Sequence, residues 1–440
     1  MNRPVHHGSS HTPVLVFTGI VGLSVIFFFI FSAGHLTRKR EAVSPPPPAA
    51  VPAKPSSPVP QPSEPVVARD PQSPVPAGIP RTEYFTTPEA LLADLANRLA
   101  SGKADRVSEL TGDSPRTAFL LELLRTNKVS PDSTEIWSDV GVMSGVSRYQ
   151  LAAASSTLKP GSVSIDIERT KSEGWKVKAL RFDPLLVKDT ALATPPDALD
   201  QARRFLDGVL SHDFKAARTL TDQVKVTHER LAGMCIVFEE GDYRIAPKRP
   251  VVVTAGTEDT AWAIVKIRSE KDNLDSEIGL EMERTAGGDW TIHTLDFNKM
   301  LEGHVKATNT GNVFYSPIVK SAKGGESIVL YFEFDKAELH PRALHQLDII
   351  ASLLKSDPAR KMRITGHSDA LGTDDYNVRL SAARAKNVRA RLLELGVADT
   401  QIETTGVGSK APLDPDRRAD GSDNPEGRSR NRRTEIYLDF

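Results

Sequence analysis

Apolar and polar positions alternate with a period of two in two separated parts of this chain. The first part is Ser162–Asp183 and the second is Glu277–Asn298. A period of two puts alternate side chains on one face, so each part predicts two half-buried antiparallel strands joined by a glycine-containing turn. The two parts align without gaps, and Trp175 then matches Trp290. The pattern therefore indicates an internal repeat.

A segment with apolar residues at helical spacing precedes each pair of predicted strands. A proline lies near each predicted helix start, at Pro88 and at Pro195, where the first turn of a helix accepts it. We therefore predict two copies of one α+β module, residues 85–187 and residues 194–303, each with helices first and an antiparallel sheet after them. The apolar positions at helical spacing are Leu91, Leu95, Leu99, Leu199, Phe205 and Leu206.

The two modules carry no catalytic constellation that the sequence alone supports. Their element order loosely resembles that of nuclear-transport-factor-like α+β cones, a fold that can hold a ligand or an active site. Trp175 and Trp290 are interpreted as core anchors, because buried tryptophans more often fill a core than bind a ligand. We expect the modules to act as spacers or to bind protein partners.

Residues 322–440 predict a third domain with alternating strands and helices. Leu347, Ile350 and Leu354 form one helical face, and Gly396 is a suitable residue to end a later helix. The predicted fold is an α+β sandwich of the βαβαββ type, with two helices on one face of a sheet. The predicted strands are Ser327–Phe332, Lys361–His367, Gln401–Gly406 and Arg433–Asp439, with helices beginning at about Pro341 and after Asp374.

The N-terminal region contains a run that is long enough to cross a membrane. After a short tail at residues 1–13, Val14–Ala33 has twenty residues and no charge, which suffices for a bilayer of about 30 Å as a helix. We predict an uncleaved transmembrane helix at residues 14–34, since the apolar run of a signal peptide is usually shorter. Basic residues follow at Arg38, Lys39 and Arg40, and they favour a cytoplasmic C-terminus.

A proline-rich stretch follows the apolar run. Fourteen prolines lie between Pro45 and Pro80, and proline excludes both helix and sheet. Residues 41–82 are therefore predicted to be a linker in extended polyproline conformation, and its proline-rich part from Pro45 to Pro80 reaches at most about 110 Å at about 3.1 Å per residue. Such a spacer suits a protein whose target lies away from the bilayer.

Charge and cysteine content exclude several classes of function. The 57 acidic and 56 basic residues nearly cancel to a formal charge of -1, so no nucleic-acid partner is implied. Cys235 is the single cysteine, which excludes an intramolecular disulfide and a cysteine-based metal cluster. The histidines show no metal-ligand spacing, and we expect no cofactor.

The C-terminal third carries a set of spaced motifs that resembles a known family. The motifs are Phe334-Asp335, Gly366-His367-Ser368-Asp369, Gly372, Tyr376-Asn377, Leu380-Ser381, Arg384-Ala385, Glu426-Gly427-Arg428 and Asn431-Arg432-Arg433. Together they resemble the OmpA-like C-terminal domain, a family that includes the peptidoglycan-associated lipoprotein and MotB. Ser368 stands where the family usually has Thr, and Ala370 where Asn is common. The resemblance implies noncovalent binding to the peptide stem of peptidoglycan.

The residue types also suit diaminopimelate, whose side chain ends in one ammonium and one carboxylate. Asp369 is expected to bind the ammonium, and Arg384 to bind the carboxylate in bidentate fashion. Asn377, Leu380 and Arg384 are spaced to share a helix face. The predicted site also includes Phe334, Asp335, Gly366, His367 and Arg433, and Arg432 or Arg433 is expected to support the ligand or the Asp369 loop. The alternative is an Asp–Arg surface ion pair with no ligand.

These patterns predict a noncatalytic anchor in the envelope of a Gram-negative cell. In this hypothesis an inner-membrane helix, a spacer and two modules carry a periplasmic domain that binds diaminopimelate-containing peptidoglycan, and outer-membrane association stays open. One alternative is a component of a stator-like or secretion complex, although the apolar run has no Asp or Glu to relay protons. Another is a wall-targeted enzyme or ligand receptor that acts through the modules. The sequence leaves the oligomeric state open, including a homodimer.

Overall fold

The computed structural model describes most of the chain beyond the proline-rich linker. The described residues are 84–131, 136–152, 158–159, 161–171, 174–309, 314–320 and 325–438. The predicted transmembrane helix and linker lie outside these residues. Within them, no helix combines the length and the apolar character that a membrane span requires.

The first module consists of three helices followed by four strands. Its first helix starts where the sequence predicts, because Thr87 accepts a hydrogen bond from Ala90 N at 3.1 Å and Pro88 occupies the first turn. Leu91, Leu95 and Leu99 are all buried on one face of this helix. The elements are α1 Pro88–Ala100, α2 Ala104–Thr111, α3 Ser114–Thr126, β1 Trp137–Met143, β2 Val146–Leu151, β3 Val163–Thr170 and β4 Gly174–Phe182.

The second module repeats this order. Its first helix starts three residues after Pro195, because Asp197 caps it and forms a reciprocal capping box with Asp200. Cys235 is buried in the third helix, and burial raises the pKa of its thiol, as expected for a core residue. The elements are α4 Ala198–Leu210, α5 Phe214–Thr219, α6 His228–Glu240, β5 Tyr243–Ile245, β6 Val251–Ala255, β7 Thr260–Ser269, β8 Leu274–Arg284, β9 Trp290–Asp296 and α7 Asn298–Thr308.

The sequence repeat extends to an irregularity in the backbone. The β3–β4 hairpin has a register shift between Asp166 and Ile167, and the β8–β9 hairpin has one between Glu281 and Met282. These positions correspond in the gapless alignment. Since a bulge bends a strand and changes its twist, the two hairpins share their curvature as well as their sequence.

The two modules are joined in one continuous sheet. The strand order is β4-β3-β2-β1-β6-β7-β8-β9, with β5 paired to β7. Strands β1 and β6 pair in parallel, from Gly141 opposite Val251 to Met143 opposite Val253. Gly141 has φ +143, and a Cβ there would lie 2.1 Å from Val251 O, so only glycine permits this approach. The sequence predicted a sheet for each module and gave no sign of this junction.

The C-terminal domain has a five-stranded sheet with the order β10-β11-β14-β12-β13. Compared with the predicted βαβαββ order, the structure adds an edge strand at Ile318–Lys320 and a short helix at Pro425–Asn431. The helix forms because Asn424 caps it and Pro425 occupies its first turn, whereas a strand of three residues is too short to show alternation. The elements are β10 Ile318–Lys320, β11 Glu326–Tyr331, α8 Pro341–Ser356, β12 Met362–Gly366, α9 Asp374–Glu394, β13 Ile402–Gly406, α10 Pro425–Asn431 and β14 Arg433–Tyr437.

The second module and the C-terminal domain share one hydrophobic core. Helix α6 packs against α8 and β11, and a Cβ at Gly233 would lie 3.0 Å from Ile318 Cδ1. At the edge of this interface, Arg230 Nη1 lies 2.5 Å from Glu326 Oε1. The domain that carries the family motifs is therefore packed on the second module rather than tethered to it.

A buried polar network reinforces this interface at the end of α6. The Glu240 carboxylate accepts hydrogen bonds from Tyr315 Oη at 2.6 Å and from Gln346 Nε2 at 3.1 Å. His304 Nε2 lies 3.0 Å from the same carboxylate. Burial, together with Glu240, raises the pKa of Tyr315. One side chain of the second module therefore binds both the connecting segment and helix α8 of the C-terminal domain.

A second buried network connects the two modules. Arg148 on β2 binds Asp166 at 2.7 Å, and it also binds Asp197 at 2.8 Å and Asp200 at 2.7 Å at the start of α4. Its side chain is only 3% exposed. Burial lowers the pKa of Arg148, but the hydrogen bonds that its guanidinium donates to Asp166 and Asp197 outweigh burial and raise it. Arg148, together with Arg181 at 2.8 Å from Asp200, therefore neutralises acidic groups from both modules.

We predict that Arg148→Ala destabilises the protein by about 3 to 5 kcal/mol, because removing the most buried cation of the network leaves its three aspartates with Arg181 as their remaining counter-charge. Urea denaturation followed by circular dichroism measures the change. Arg125→Ala is the matched control, since Arg125 pairs with Glu122 on the surface and its loss leaves the free energy of unfolding essentially unchanged. Equal midpoints for the two variants would contradict the assigned role of Arg148.

Candidate functional site

The family motifs meet where strand β12 ends and helix α9 begins. Strand β12 ends at Gly366, and α9 begins after Thr373, whose side chain accepts a hydrogen bond from Tyr376 N at 3.3 Å. Asp374 and Asp375 follow in the first turn, where negative charge is favourable. The intervening loop, residues 367–372, carries Asp369.

Gly366 positions the helix rather than a ligand. A Cβ at Gly366 would lie 1.9 Å from Ser381 O, and a Cβ at Gly406 would lie 2.4 Å from Ala382 N. Helix α9 therefore lies directly against the ends of β12 and β13. This close approach brings the side chains of the first two turns of α9 over the loop.

Asp369 is buried, with 4% of its surface exposed. Its Oδ2 accepts a hydrogen bond from Arg432 Nη1 at 3.1 Å, and its Oδ1 accepts one from Leu371 N at 3.3 Å. The next residue is also fixed, because Ala370 N donates to Asp416 Oδ2 at 3.1 Å. Of the two arginines that the sequence left open, Arg432 is therefore the one that contacts Asp369.

Arg384 is completely buried on α9. Its guanidinium donates to three backbone carbonyls: Lys336 O at 2.8 Å, His367 O at 2.8 Å and Glu333 O at 3.2 Å. The ring of Phe332 lies 5.1 Å from its Cζ. Burial lowers the pKa of Arg384 to about 10, and Asp369 opposes this shift, so the two side chains interact electrostatically.

Two neighbouring polar side chains are buried without hydrogen bonds to the described residues. They are Asn377, which is 1% exposed, and Ser368, which is 2% exposed. Both amide atoms of Asn377 and the Oγ of Ser368 lack a partner among the described residues. The Asn377 Oδ1 faces the loop, since a Cβ at Gly372 would lie 3.8 Å from it. Because a buried polar group without a hydrogen bond is costly, this pair marks a place where a ligand or water is expected.

Three predicted site residues lie at the rim. Phe334 is 58% exposed, and Leu380 is half-buried. Asp335 is exposed with φ +59, and its carboxylate accepts a hydrogen bond from the hydroxyl of Tyr376. Tyr376 thereby holds the loop between β11 and α8 against the start of α9.

His367 and Arg433 lie behind the loop, around Glu435. Arg433 Nε donates to Glu435 Oε1 at 2.8 Å, and His367 Nε2 lies 3.7 Å from the same oxygen. Although burial raises the pKa of Glu435, the Arg433 guanidinium holds it below its usual value. His367 also connects to the site, because its backbone carbonyl accepts a hydrogen bond from Arg384 Nη1. The structure therefore brings Asp369, Arg384 and Asn377 together and places Arg433 in a supporting layer.

Sequence reasoning missed two further members of this arrangement. Asp416 contacts the loop at Ala370 N, and Asn431 holds Asp416, since Asn431 Nδ2 donates to Asp416 Oδ1 at 3.1 Å. Asn431 belongs to a motif that the sequence identified, whereas Asp416 lies in a charged stretch without periodicity. Only the fold shows that this stretch turns back onto the Asp369 loop.

Comparison with known proteins assigns the C-terminal domain. Residues 331–432 match the model of the OmpA family. The chain is 38% identical over 107 residues to a protein of Mycobacterium tuberculosis named peptidoglycan-binding protein ArfA, covering 24% of this chain and 31% of that protein. It is 37% identical over 106 residues to the peptidoglycan-associated lipoprotein of Pseudomonas aeruginosa, covering 24% of this chain and 59% of that protein.

A solved structure is also similar in this region. It is the crystal structure of the peptidoglycan-associated lipoprotein from Burkholderia pseudomallei, at 32% identity and a TM-score of 0.22, covering 24% of this chain and 86% of that one. Across the curated relatives, the chain spans between 14% and 59% of their length. The family match covers residues 331–432, within the C-terminal domain.

We predict that Gly366→Ala destabilises the protein by about 3 kcal/mol or more, because the added methyl group collides with the backbone carbonyl of Ser381. Thermal or urea unfolding measures the change. Gly287→Ala is the control, since a Cβ there meets its nearest atom at an ordinary 3.7 Å. If both substitutions are tolerated equally, α9 does not pack on β12 as described.

Proposed function

Since residues 331–432 of this chain belong to the OmpA family, we propose that the protein is a noncatalytic anchor that binds peptidoglycan through its C-terminal domain. The ligand is the diaminopimelate of the peptide stem. The N-terminal part ties this domain to the membrane, or to a membrane complex. Two relatives whose printed names refer to peptidoglycan support the proposal at 38% and 37% identity.

The burial of Arg384 without an anion carries the proposal. Its guanidinium meets three neutral carbonyls, and no carboxylate lies within ion-pairing distance of it among the described residues. A buried cation without a counter-ion is unfavourable, and the lowered pKa of Arg384 reflects that cost. A ligand carboxylate would supply the missing negative charge.

The free donors of Arg384 suit a carboxylate. A guanidinium has five N–H donors, and three of them are used, one from each nitrogen. The remaining two belong to Nη1 and Nη2, which are the nitrogens that an end-on bidentate carboxylate contacts. Because Arg384 is fully buried, the loop that supplies Glu333 O and Lys336 O must shift to admit the ligand. That loop is exposed on its outer side and includes Asp335 at φ +59.

Asp369 is available to an ammonium group. A carboxylate has about four lone-pair sites, and Asp369 uses one for Arg432 and one for Leu371 N. The alternative of an internal Asp369–Arg384 ion pair has no support in these contacts, because the partner of Asp369 is Arg432. Asn377 and Ser368 add a buried amide and a buried hydroxyl without partners among the described residues, and both suit a zwitterionic ligand.

The membrane attachment rests on the sequence. The uncharged run Val14–Ala33 provides the anchor, and the proline-rich linker provides the distance between bilayer and wall. We place the anchor in the inner membrane and the C-terminal domain in the periplasm, because peptidoglycan lies there. The basic residues that follow the run oppose this orientation, but short loops bias topology without determining it.

We predict that Asp369→Asn and Arg384→Lys each weaken binding to purified diaminopimelate-type sacculi by at least about tenfold, because each removes a charged partner of the ligand. Co-sedimentation of the full-length chain measures the affinity. Asp375→Asn and Arg379→Ala are the matched controls, since both residues are exposed on the same helix. Circular dichroism confirms that each variant is folded.

Sacculi that carry lysine in place of diaminopimelate separate the two contacts. Lysine retains the ammonium and lacks the second carboxylate, so wild type should bind these sacculi more weakly than diaminopimelate-type sacculi. Arg384→Lys should reduce binding to lysine-type sacculi much less than it reduces binding to diaminopimelate-type sacculi. Equal sedimentation of wild type and both site variants on diaminopimelate-type sacculi would refute the proposed site.

We predict that replacing Ile20 and Phe27 together by arginine releases the full-length chain from the membrane fraction, because each arginine costs about 2.5 to 3.5 kcal/mol at the centre of a membrane helix. Fractionation followed by carbonate extraction measures the distribution. The control replaces Val66 and Val67 in the linker by arginine. Retention of the Ile20/Phe27 variant in the membrane would mean that another part of the chain attaches it.

A further inference from the structure

A cleft lies at the junction of the two modules. Its volume is about 720 Å³, a size typical of small-molecule sites. It exists because β6 begins at Val251, opposite Gly141, so the first residues of β1 have no strand beside them on that side. The start of α1, at Pro88 and Glu89, forms one wall, and the loop from Ile245 to Arg249 forms the other.

Three aromatic side chains line this cleft: Trp137, Tyr149 and Trp175. Tyr149 and Trp175 are half-buried, so part of each ring faces the cleft. Trp137 is only 6% exposed, and its indole Nε1–H has no hydrogen-bond acceptor among the described residues. Tyr149 and Trp175 therefore provide the accessible aromatic surface of the cleft, while Trp137 belongs to the core of the first module.

The internal repeat shows that the fold does not require Trp175 to be partly exposed. Trp290 occupies the position in the second module that corresponds to Trp175. It is 8% exposed, and the guanidinium of Arg284 lies 5.4 Å from its ring centre. The same hairpin can therefore bury its tryptophan. Trp290 is a buried core residue, and Trp175 packs against the core of the first module while also lining the cleft.

Basic side chains outnumber acidic side chains around the rim of the cleft. Lys248, Arg249 and Lys266 are exposed there, opposite the acidic Glu89 and Asp139. Burial raises the pKa of Asp139, although the backbone N–H of Arg249, which donates to its Oδ2 at 2.9 Å, lowers it. A cationic ligand would meet three bases. The rim therefore favours a ligand with a negative charge.

We propose that this cleft binds an acidic pyranose, a sugar ring that carries a carboxylate. The C–H face of such a ring packs on the aromatic side chains. A hydroxyl of the ring donates a hydrogen bond to Asp139. The carboxylate pairs with Lys266 and the neighbouring bases. A neutral sugar lacks the contact between the carboxylate and the bases. An apolar ring lacks that contact and also the hydrogen bond to Asp139.

The test compares two sugars that differ by one acidic group. N-acetylmuramic acid is N-acetylglucosamine with an added lactyl carboxylate, so isothermal titration of the full-length chain with each measures what the carboxylate contributes. We expect N-acetylmuramic acid to bind at least about tenfold more tightly, the ratio expected from one charge-assisted contact. Comparable affinity for the two sugars, or no binding of either at about 10 mM, would overturn the proposal.

Matched variants locate the binding. Trp175→Leu and Lys266→Ala should each weaken the binding of N-acetylmuramic acid by about fivefold or more. Trp262→Leu and Lys306→Ala are the controls, since Trp262 is 47% exposed outside the cleft and Lys306 is exposed on α7. If the controls weaken binding as much as the cleft variants, the cleft is not the site.

The proposal is independent of the wall-binding site. Asp369→Asn should leave the titration with N-acetylmuramic acid unchanged, and Lys266→Ala should leave sedimentation with sacculi unchanged. Loss of sugar binding in Asp369→Asn would place the sugar in the C-terminal domain and refute the cleft. Thermal unfolding of Trp175→Leu separates a lost contact from a lost fold.

Discussion

The guanidinium of Arg384 connects three separate parts of the C-terminal domain. It binds the carbonyl that follows β12 and two carbonyls of the loop between β11 and α8. These contacts hold the Asp369 loop and the Phe334-Asp335 loop on either side of helix α9. The same burial leaves a cation without a carboxylate, which is unfavourable in a medium of low dielectric constant. One side chain thus organises the site and prepares it for an anion.

Close packing makes this arrangement possible. Helix α9 approaches β12 and β13 through Gly366 and Gly406, where any side chain would collide with the helix backbone. The short distance between the helix and the strands sets where Asn377 and Arg384 lie relative to the loop. Behind it, Arg433 and Glu435 form a buried pair that supports the strand ends. The site therefore depends on a rigid scaffold, while its outer loop is exposed.

The rest of the molecule extends this scaffold. The C-terminal domain shares its core with the second module, and the second module shares a sheet with the first. The polar networks at Glu240 and Arg148 lie at these two junctions, one at each. A force on the C-terminal domain would therefore act on the modules as well. The modules also create a cleft that neither of them forms alone, and residues of both modules line it.

The sequence by itself determined the elements whose patterns are local. Period-two alternation located the hairpins of the repeat, and prolines such as Pro88 and Pro341 located helix starts, because these signals depend only on neighbouring residues. The spaced motifs from Phe334 to Arg433 identified the family and its candidate site. What only the tertiary structure decided depends on residues distant in sequence. The parallel pairing of β1 with β6, the choice of Arg432 over Arg433 as the partner of Asp369, and the different surroundings of Trp175 and Trp290 all follow from packing between elements, which periodicity does not encode.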